Sequence, residues 1–313
     1  MATRIVAPSY GGPEVLSAVE VDVPAPGSGQ VVIQVRAAGV NPVDHKIVSG
    51  AFGADPARLP LPVGREVAGV VRAVGPDAVG PAGPISVGDE VVAPVDGGFA
   101  DTVVAAAATT VPKPASLPWP EAGGALVVGG TAVHALHVVG ANPGETLLVH
   151  GGSGSVGQIA VQLAVQAGVT VVATAAERNH GLLRGFGAIP VTYGPGLLDR
   201  VRDAAPDGVD AAIDTVGTDE AVDTSLELVS DRRRIVSMVA FGRADTGIVL
   251  IGGGPGADPG TEIRADAWRT LLPAAADGSL TLTVARTYPL TEAAAALRFV
   301  RDGHAAGKVV LLP

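Results

Sequence analysis

Residues 146–157 read TLLVHGGSGSVG, and residues 158–168 continue QIAVQLAVQAG. Thr146 to His150 is a short apolar run of the kind that makes a buried strand. Glycines follow at once, and then a helical pattern. Val156, Ile159, Ala160, Leu163, Ala164 and Ala167 recur at the i, i+3, i+4, i+7 spacing of one helix face. Gly168 stands where a left-handed cap ends such a helix. Within the turn, Gly152, Gly154 and Gly157 have the spacing G-x-G-x-x-G. One glycine lets the chain turn sharply out of the strand, a second lets backbone approach a pyrophosphate, and a third lets helix pack close to strand. The helix start adds unpaired N–H groups and a positive dipole end. In a chain with 43 glycines the spacing alone says little. The strand before it and the helix after it turn it into a dinucleotide-binding turn, in which Ser153, Ser155 and Val156 accompany the glycines. A Walker phosphate loop is excluded because Gln158 follows where Lys is needed. A G-x-S-x-G elbow is excluded because Ser155 occupies its closing position.

Downstream of the turn the text alternates. VTVVATA, IPVTY, VDAAID, RIVSMVA and GIVLI read as strands, with helices at Asn179–Phe186, Leu197–Ala204 and Asp219–Val229 between them. That alternation predicts a parallel sheet covered on both faces. Upstream, VVIQVRAAGV, EVAGVVRAVG and DEVVAPV are valine-rich runs set apart by Gly, Pro and Asp, the pattern of antiparallel strands. No helical period of useful length is visible there. PKPASLPWP (112–120) suits an extended connector and marks one boundary, and Glu121 to Val139 reads as helix. GGGPGADPG (252–260) marks a second boundary. A helix at Ala265–Ala276, a strand at Ser279–Arg286, a helix at Thr291–Arg301 and a strand at Lys308–Leu312 follow.

The chain has 313 residues, enough for one large or two ordinary domains. Its net charge of −10 argues against nucleic acid or an anionic membrane as partner. The absence of cysteine excludes disulfides and thiolate metal sites. No signal segment and no apolar run long enough to span a bilayer appears, so the expectation is a cytoplasmic protein.

These stretches together resemble the zinc-free quinone oxidoreductase branch of the medium-chain dehydrogenase/reductase superfamily. In the first part the resemblance rests on AAGVNPVDHKIVSG, LPVGREVAGVVRAVG and VGDEVVAPVDGGFADTVV. In the second it rests on GGTAVHAL, HGGSGSVGQIAVQLA, ATAAERNHGLLRGFGA and DAAIDTVG, and at the end on PLTEAAAALRFVRDGHAAGKVVL. It implies a fold class of α/β plus β. A GroES-like β-rich catalytic domain (1–118, completed by 258–313) would flank a Rossmann domain with a doubly wound parallel sheet (119–257). The acceptor cleft would lie between them, and the assembly would be a homodimer or, as also occurs in the family, a tetramer. The departures are informative. Gly39-Val40-Asn41 and Gly64-Arg65-Glu66 stand where zinc-dependent relatives have a Cys-containing motif and Gly-His-Glu, so no metal site is expected. Lys46 stands near the position of a tyrosine found in some quinone reductases.

Cofactor choice is legible at the end of the second strand of the parallel sheet. An NAD site wants Asp or Glu about 20 residues past the turn, for the ribose 2′-OH. Thr174, Ala175 and Ala176 are small and uncharged, and Arg178, Asn179 and His180 follow. This favours NADPH, with Glu177 pointing outward; the alternative is a solvated helix start with Asn179 as N-cap. The resemblance adds Asn41 and Thr131 near the nicotinamide, Tyr193 on the adenosine side, Val216, and Lys308 near the phosphates. Plain packing accounts equally for Tyr193, and a solvated terminal lysine for Lys308. His134 and His137, three apart on a helix, lack a third metal ligand. Asn41, His45 and Lys46 are the candidate catalytic groups. The expected activity is NADPH-dependent hydride transfer to a quinone or an α,β-unsaturated carbonyl. The alternatives are an enoyl-thioester reductase and a non-catalytic NADPH-binding sensor or structural protein.

Overall fold

The computed structural model describes every residue except His304. In chain order the elements are β1 (Ala2–Ala7), β2 (Ser17–Val21), β3 (Gln30–Val40), α1 (Pro42–Val48), β4 (Leu61–Pro62), β5 (Glu66–Val74), β6 (Val79–Gly80), β7 (Gly83–Pro84), β8 (Glu90–Pro94), β9 (Thr102–Ala106), β10 (Val111–Pro112), α2 (Trp119–Gly123) and α3 (Leu126–Val139). Next come β11 (Thr146–His150), α4 (Ser155–Gln166), β12 (Thr170–Thr174), α5 (His180–Gly185), β13 (Ile189–Val191), α6 (Leu197–Ala204), β14 (Ala211–Asp214), α7 (Asp219–Leu228), β15 (Ile235–Ser237), β16 (Val249–Leu250) and α8 (Thr261–Asp266). The chain ends with α9 (Trp268–Asp277), β17 (Val284–Pro289), α10 (Ala293–Arg301) and β18 (Lys308–Leu312). Contacts divide it into unit 1, Met1–Val127 with Trp268–Pro313, and unit 2, Val128–Ala267. The expected boundaries at 118 and 257 fall short of these. α2 belongs to unit 1 because Gly123 lets it lie directly on β3; a Cβ there would sit 2.6 Å from that of Ala37.

Unit 1 is built on a seven-stranded sheet, ordered β10-β8-β5-β3-β18-β17, with β9 also paired to β3. β3 carries Val31, Ile33 and Val35 into a core shared with Val67, Val71, Phe99 and Leu297. The last strand, β18, returns antiparallel to β3 and sets Val310 opposite Gly39. That pairing carries Lys308 into the middle of the unit.

Unit 2 holds a parallel sheet ordered β13-β12-β11-β14-β15-β16. The order reverses direction at β11, so the β11/β14 boundary is the topological switch point, where such sheets bind ligands at their carboxyl ends. Apolar strands β11, β12 and β14 are buried as the continuous hydrophobic runs of a sheet covered on both faces require.

Several sequence expectations need correction. α1 was not foreseen, since it is too short to display a period. Glu121–Val139 is two helices rather than one, broken at Gly124. Ala265–Ala276 is likewise two, α8 and α9, and the strand expected from Ser279 begins at Val284. α4 has no simple apolar stripe: Gly157, Gln158, Ile159, Ala160, Val161, Gln162 and Ala164 are all buried, while Ala167 is exposed. Among the described residues, no helix is long and apolar enough to cross a membrane.

Candidate active site

The turn from β11 into α4 divides its glycines by task. Gly151 leaves the strand at φ +75, and a Cβ on it would meet Thr215 Oγ1 at 2.4 Å. A Cβ on Gly152 would lie 2.7 Å from that of Ala173, and one on Gly157 would lie 2.3 Å from the Gly151 carbonyl oxygen. Those glycines are required by the protein's own packing. Gly154 is not: its Cβ would meet only the Gly151 oxygen, at 3.4 Å. Gly154 is also the N-cap of α4 and offers no side chain to the first-turn N–H groups. The cradle is therefore open where a pyrophosphate would use it.

The end of β12 fastens this turn. Thr174 Oγ1 accepts the Gly151 N–H (3.0 Å), and the Thr174 carbonyl accepts the Gly152 N–H (2.9 Å). Gln158 Nε2 donates to the Ser153 carbonyl (2.7 Å), and Asn179 Nδ2 donates to Ser153 Oγ (3.1 Å). Thr174 thus positions the turn through its hydroxyl, and Ala175 is buried beside it. Asn179 occupies the N-cap position of α5 but makes no cap bond, reaching instead to the turn. Glu177 and Arg178 are both exposed, and Arg178 has no ion-pair partner among the described residues. At the same carboxyl edge Tyr193 and Val216 leave large apolar surface open, 55% and 47% exposed.

Two polar clusters in unit 2 were not read from the sequence as such. Asp214 Oδ1 accepts the N–H groups of Val216 and Gly217, and Oδ2 accepts the Ser237 hydroxyl, which shapes the loop after β14. His150, opposite Asp214 in register, lies against Ser225 Oγ (3.1 Å). Burial pushes its pKa down to about 4, with Asp214 opposing. The second cluster ties α3 to α8. Arg264 Nη1 donates to Thr131 Oγ1 (3.0 Å), Arg264 Nε donates to His134 Nδ1 (3.1 Å), and His134 Nε2 meets Asp258 Oδ2 (3.1 Å). Thr131 is therefore buried and engaged. His137 is exposed.

In unit 1 the Asn41–Lys46 stretch is α1 and its cap. Asp44 Oδ2 accepts the Asn41 N–H (2.8 Å) and Asn41 O accepts the Asp44 N–H (3.0 Å), which starts the helix. The Asn41 side chain is buried and fully used: Nδ2 donates to Gly39 O (3.3 Å) and Glu66 Oε1 (3.1 Å), and Oδ1 accepts Lys308 Nζ (2.5 Å). Lys308 also donates to Glu66 Oε1 (2.9 Å), and Glu66 Oε2 accepts the Val127 N–H (2.9 Å) at the start of α3. Both amide protons of Asn41, one of the candidate catalytic groups, are thus engaged within the protein. Lys308 is buried rather than solvated, and its ammonium balances Glu66. His45 and Lys46 are half-buried, and His45 Nδ1 is buried without a partner.

Asp44 gives unit 1 a pH signature. Burial raises its pKa from 3.8 to about 7, against the Asn41 N–H and the Lys308 charge, which lower it. The folded protein therefore holds a proton that the unfolded chain has released between those two values. Stability from this group is full below 3.8 and declines as pH rises to about 7. Asp44→Asn keeps an acceptor for Asn41 and removes the titration. The unfolding free energy of the native protein should fall relative to the variant by a few kcal/mol (roughly 1.4 per pH unit) across that window. Parallel pH dependences in urea titrations would contradict it.

Residues 27–115 match the family described as alcohol dehydrogenase GroES-like domain, and residues 186–311 match the zinc-binding dehydrogenase family. The quinone oxidoreductase of Rattus norvegicus is 37% identical over 235 residues, covering 72% of this chain and 70% of that protein. The chain belongs to the quinone oxidoreductase family. The Escherichia coli quinone oxidoreductase complexed with NADPH superposes with a TM-score of 0.86 at 27% identity, over 99% of this chain and 100% of that one. The mycoketide-CoA synthase of Mycobacterium tuberculosis is 32% identical over 300 residues, which is 91% of this chain and 7% of that protein.

One of the matching families is named for zinc, but the residues present do not fit a zinc ion. Asn41 has its amide committed, Arg65 is a cation paired with Asp96, and Glu66 is already neutralised by Lys308. Among the described residues no group of three or more His, Cys, Asp or Glu side chains could hold a metal.

Proposed function

We propose that the chain is an NADPH-dependent, zinc-independent oxidoreductase that passes hydride to a quinone or another α,β-unsaturated carbonyl. The observation that carries the cofactor assignment is the edge formed by Gly154 and Arg178. Gly154 leaves room above an uncapped helix start, and the end of β12 bears no carboxylate. Bound there, NADPH supplies the hydride; the chain binds and orients it. The uncapped first-turn N–H groups, Ser155 to Gly157, would hold the pyrophosphate. Arg178, with Asn179 and Ser153, would face the ribose phosphate, and Tyr193 and Val216 would cover apolar parts of the nucleotide. In unit 1 Asn41 orders α1 rather than donating to the acceptor. Lys46 and His45 remain the groups of that helix able to supply a proton. Enoyl-thioester reduction is the second reading, favoured by the likeness to a segment of the mycoketide-CoA synthase.

The experiment is a titration of NADPH and NADH into the native protein and Arg178→Ala. A charge-assisted hydrogen bond is worth about 1.5–3 kcal/mol, or roughly ten- to a hundredfold in affinity. The variant should lose that factor for NADPH and almost none for NADH. Equal losses for both, or tighter native binding of NADH, would refute the 2′-phosphate assignment.

A further inference from the structure

Residues 252–260 carry the chain from β16 to α8 without a regular element, apart from a bridge between Ile251 and Asp258. Asp258 Oδ1 accepts the Gly260 N–H (2.9 Å), and its Oδ2 lies 3.1 Å from His134 Nε2. A guanidinium nitrogen can only donate, so the His134 Nδ1 that meets Arg264 Nε is the bare nitrogen. His134 is therefore neutral, with its proton on Nε2 and donated to Asp258. The packing here is close. Gly260 has φ +57, and a Cβ on it would lie 2.3 Å from His134 Cε1.

Arg264 is half-buried, and burial lowers its pKa from the ordinary value with Asp258 opposing. A guanidinium that serves only to brace a fold commonly forks onto a carboxylate. Arg264 does not. Its Nε is fixed by a neutral imidazole and its Nη1 by a hydroxyl, and Asp258 stands beyond the imidazole. Nη2 has no partner among the described residues. The side chain is thus rigidly aimed with its charge not directly neutralised, the arrangement of a preorganised donor to a developing anion. Its place agrees. β16 runs out toward α8, and α3 leads back to the amino end of β11, so Thr131 and Arg264 lie toward the carboxyl edge, where open parallel sheets bind ligands.

We propose that Arg264 donates to the carbonyl oxygen of the hydride acceptor and stabilises the negative charge that develops there, with His134 and Asp258 as positioning residues. This rests on the reading of the chain as a hydride-transferring oxidoreductase. A hydride, one proton with two electrons, breaks from the reduced nicotinamide and bonds to the acceptor. The displaced π pair moves onto the carbonyl oxygen beside Arg264, and that oxygen then takes one proton from water. The cofactor is oxidised by two electrons and the acceptor reduced by two.

The test compares the native protein with Arg264→Met, Arg264→Lys and Asp258→Asn. Its readouts are kcat and KM with NADPH and a simple quinone, the NADPH dissociation constant from cofactor fluorescence, and the melting midpoint. Arg264→Met should lower kcat on the order of a hundredfold, with NADPH affinity nearly unchanged. Arg264→Lys should recover part of that loss. Asp258→Asn should lower kcat by a smaller factor at unchanged KM. Should Arg264→Met fail to fold, Arg264→Gln, which still donates to Thr131, carries the same readouts. Full kcat in a folded Arg264 variant overturns the proposal, as does a loss confined to NADPH affinity. A native protein that oxidises no NADPH with any conjugated acceptor overturns the functional reading and this proposal with it.

Discussion

Lys308→Met is expected to destabilise unit 1 by about 3–5 kcal/mol, the usual consequence of leaving a buried charge without its partner. Glu66 is wholly buried and receives Lys308 Nζ, Asn41 Nδ2 and the Val127 N–H. Methionine fills the volume of the lysine stem, which packs against Gly124, but supplies no charge. The Glu66 carboxylate must then either stay ionised beside two neutral donors or take up a proton. The same residue ties β18 to the cap of α1, so the loss should appear as one cooperative shift in urea or thermal unfolding. Pairing the change with Glu66→Gln should return much of the stability, because the double variant removes both charges. A single Lys308→Met loss below about 1 kcal/mol, the range of a solvated surface pair, would contradict the role assigned here.

Gly154→Val should leave unit 2 folded and remove cofactor binding. The backbone at Gly154 has φ −74 and ψ 165, which valine adopts freely, and nothing in the protein crowds its Cβ. The valine side chain would instead fill the space over the first turn of α4. Losing charge-assisted N–H contacts of about 1.5–3 kcal/mol each should weaken NADPH by a hundredfold or more, roughly 2.7 kcal/mol. Gly157→Ala is the structural contrast, since its Cβ would strike the Gly151 carbonyl and the fold itself should suffer.

The parts legible in the sequence were those encoded by local spacing. The strand, the G-x-G-x-x-G turn and the helix of residues 146–168 declare themselves because each needs particular residues a few positions apart. The parallel sheet follows from strands alternating with helices. The interior of the site is different. Asn41, Glu66 and Lys308 are brought together across separations of 25 and 242 residues, which leave no periodic trace. Nothing in GVNPVD reveals that both amide protons of Asn41 are taken within the protein. The Asp258–His134–Arg264 chain joins a glycine-rich loop to a helix more than a hundred residues earlier. Gly260 was its faint local sign, a glycine that no side chain could replace beside His134. Thr174 shows the converse, a residue expected at the nucleotide edge whose hydroxyl holds the glycine turn.

If the Gly154 edge holds NADPH for delivery of hydride to a conjugated carbonyl without metal, NADPH oxidation in chelator-treated native protein, followed with a simple quinone, an enone and an enoyl thioester and with Gly154→Val as the matched control, decides the matter. NADPH should be consumed in step with reduction of the quinone or enone, chelation should change nothing, and the control should be inactive. No oxidation with any conjugated acceptor, equal turnover in Gly154→Val, or activity lost to the chelator and restored by zinc would contradict that assignment.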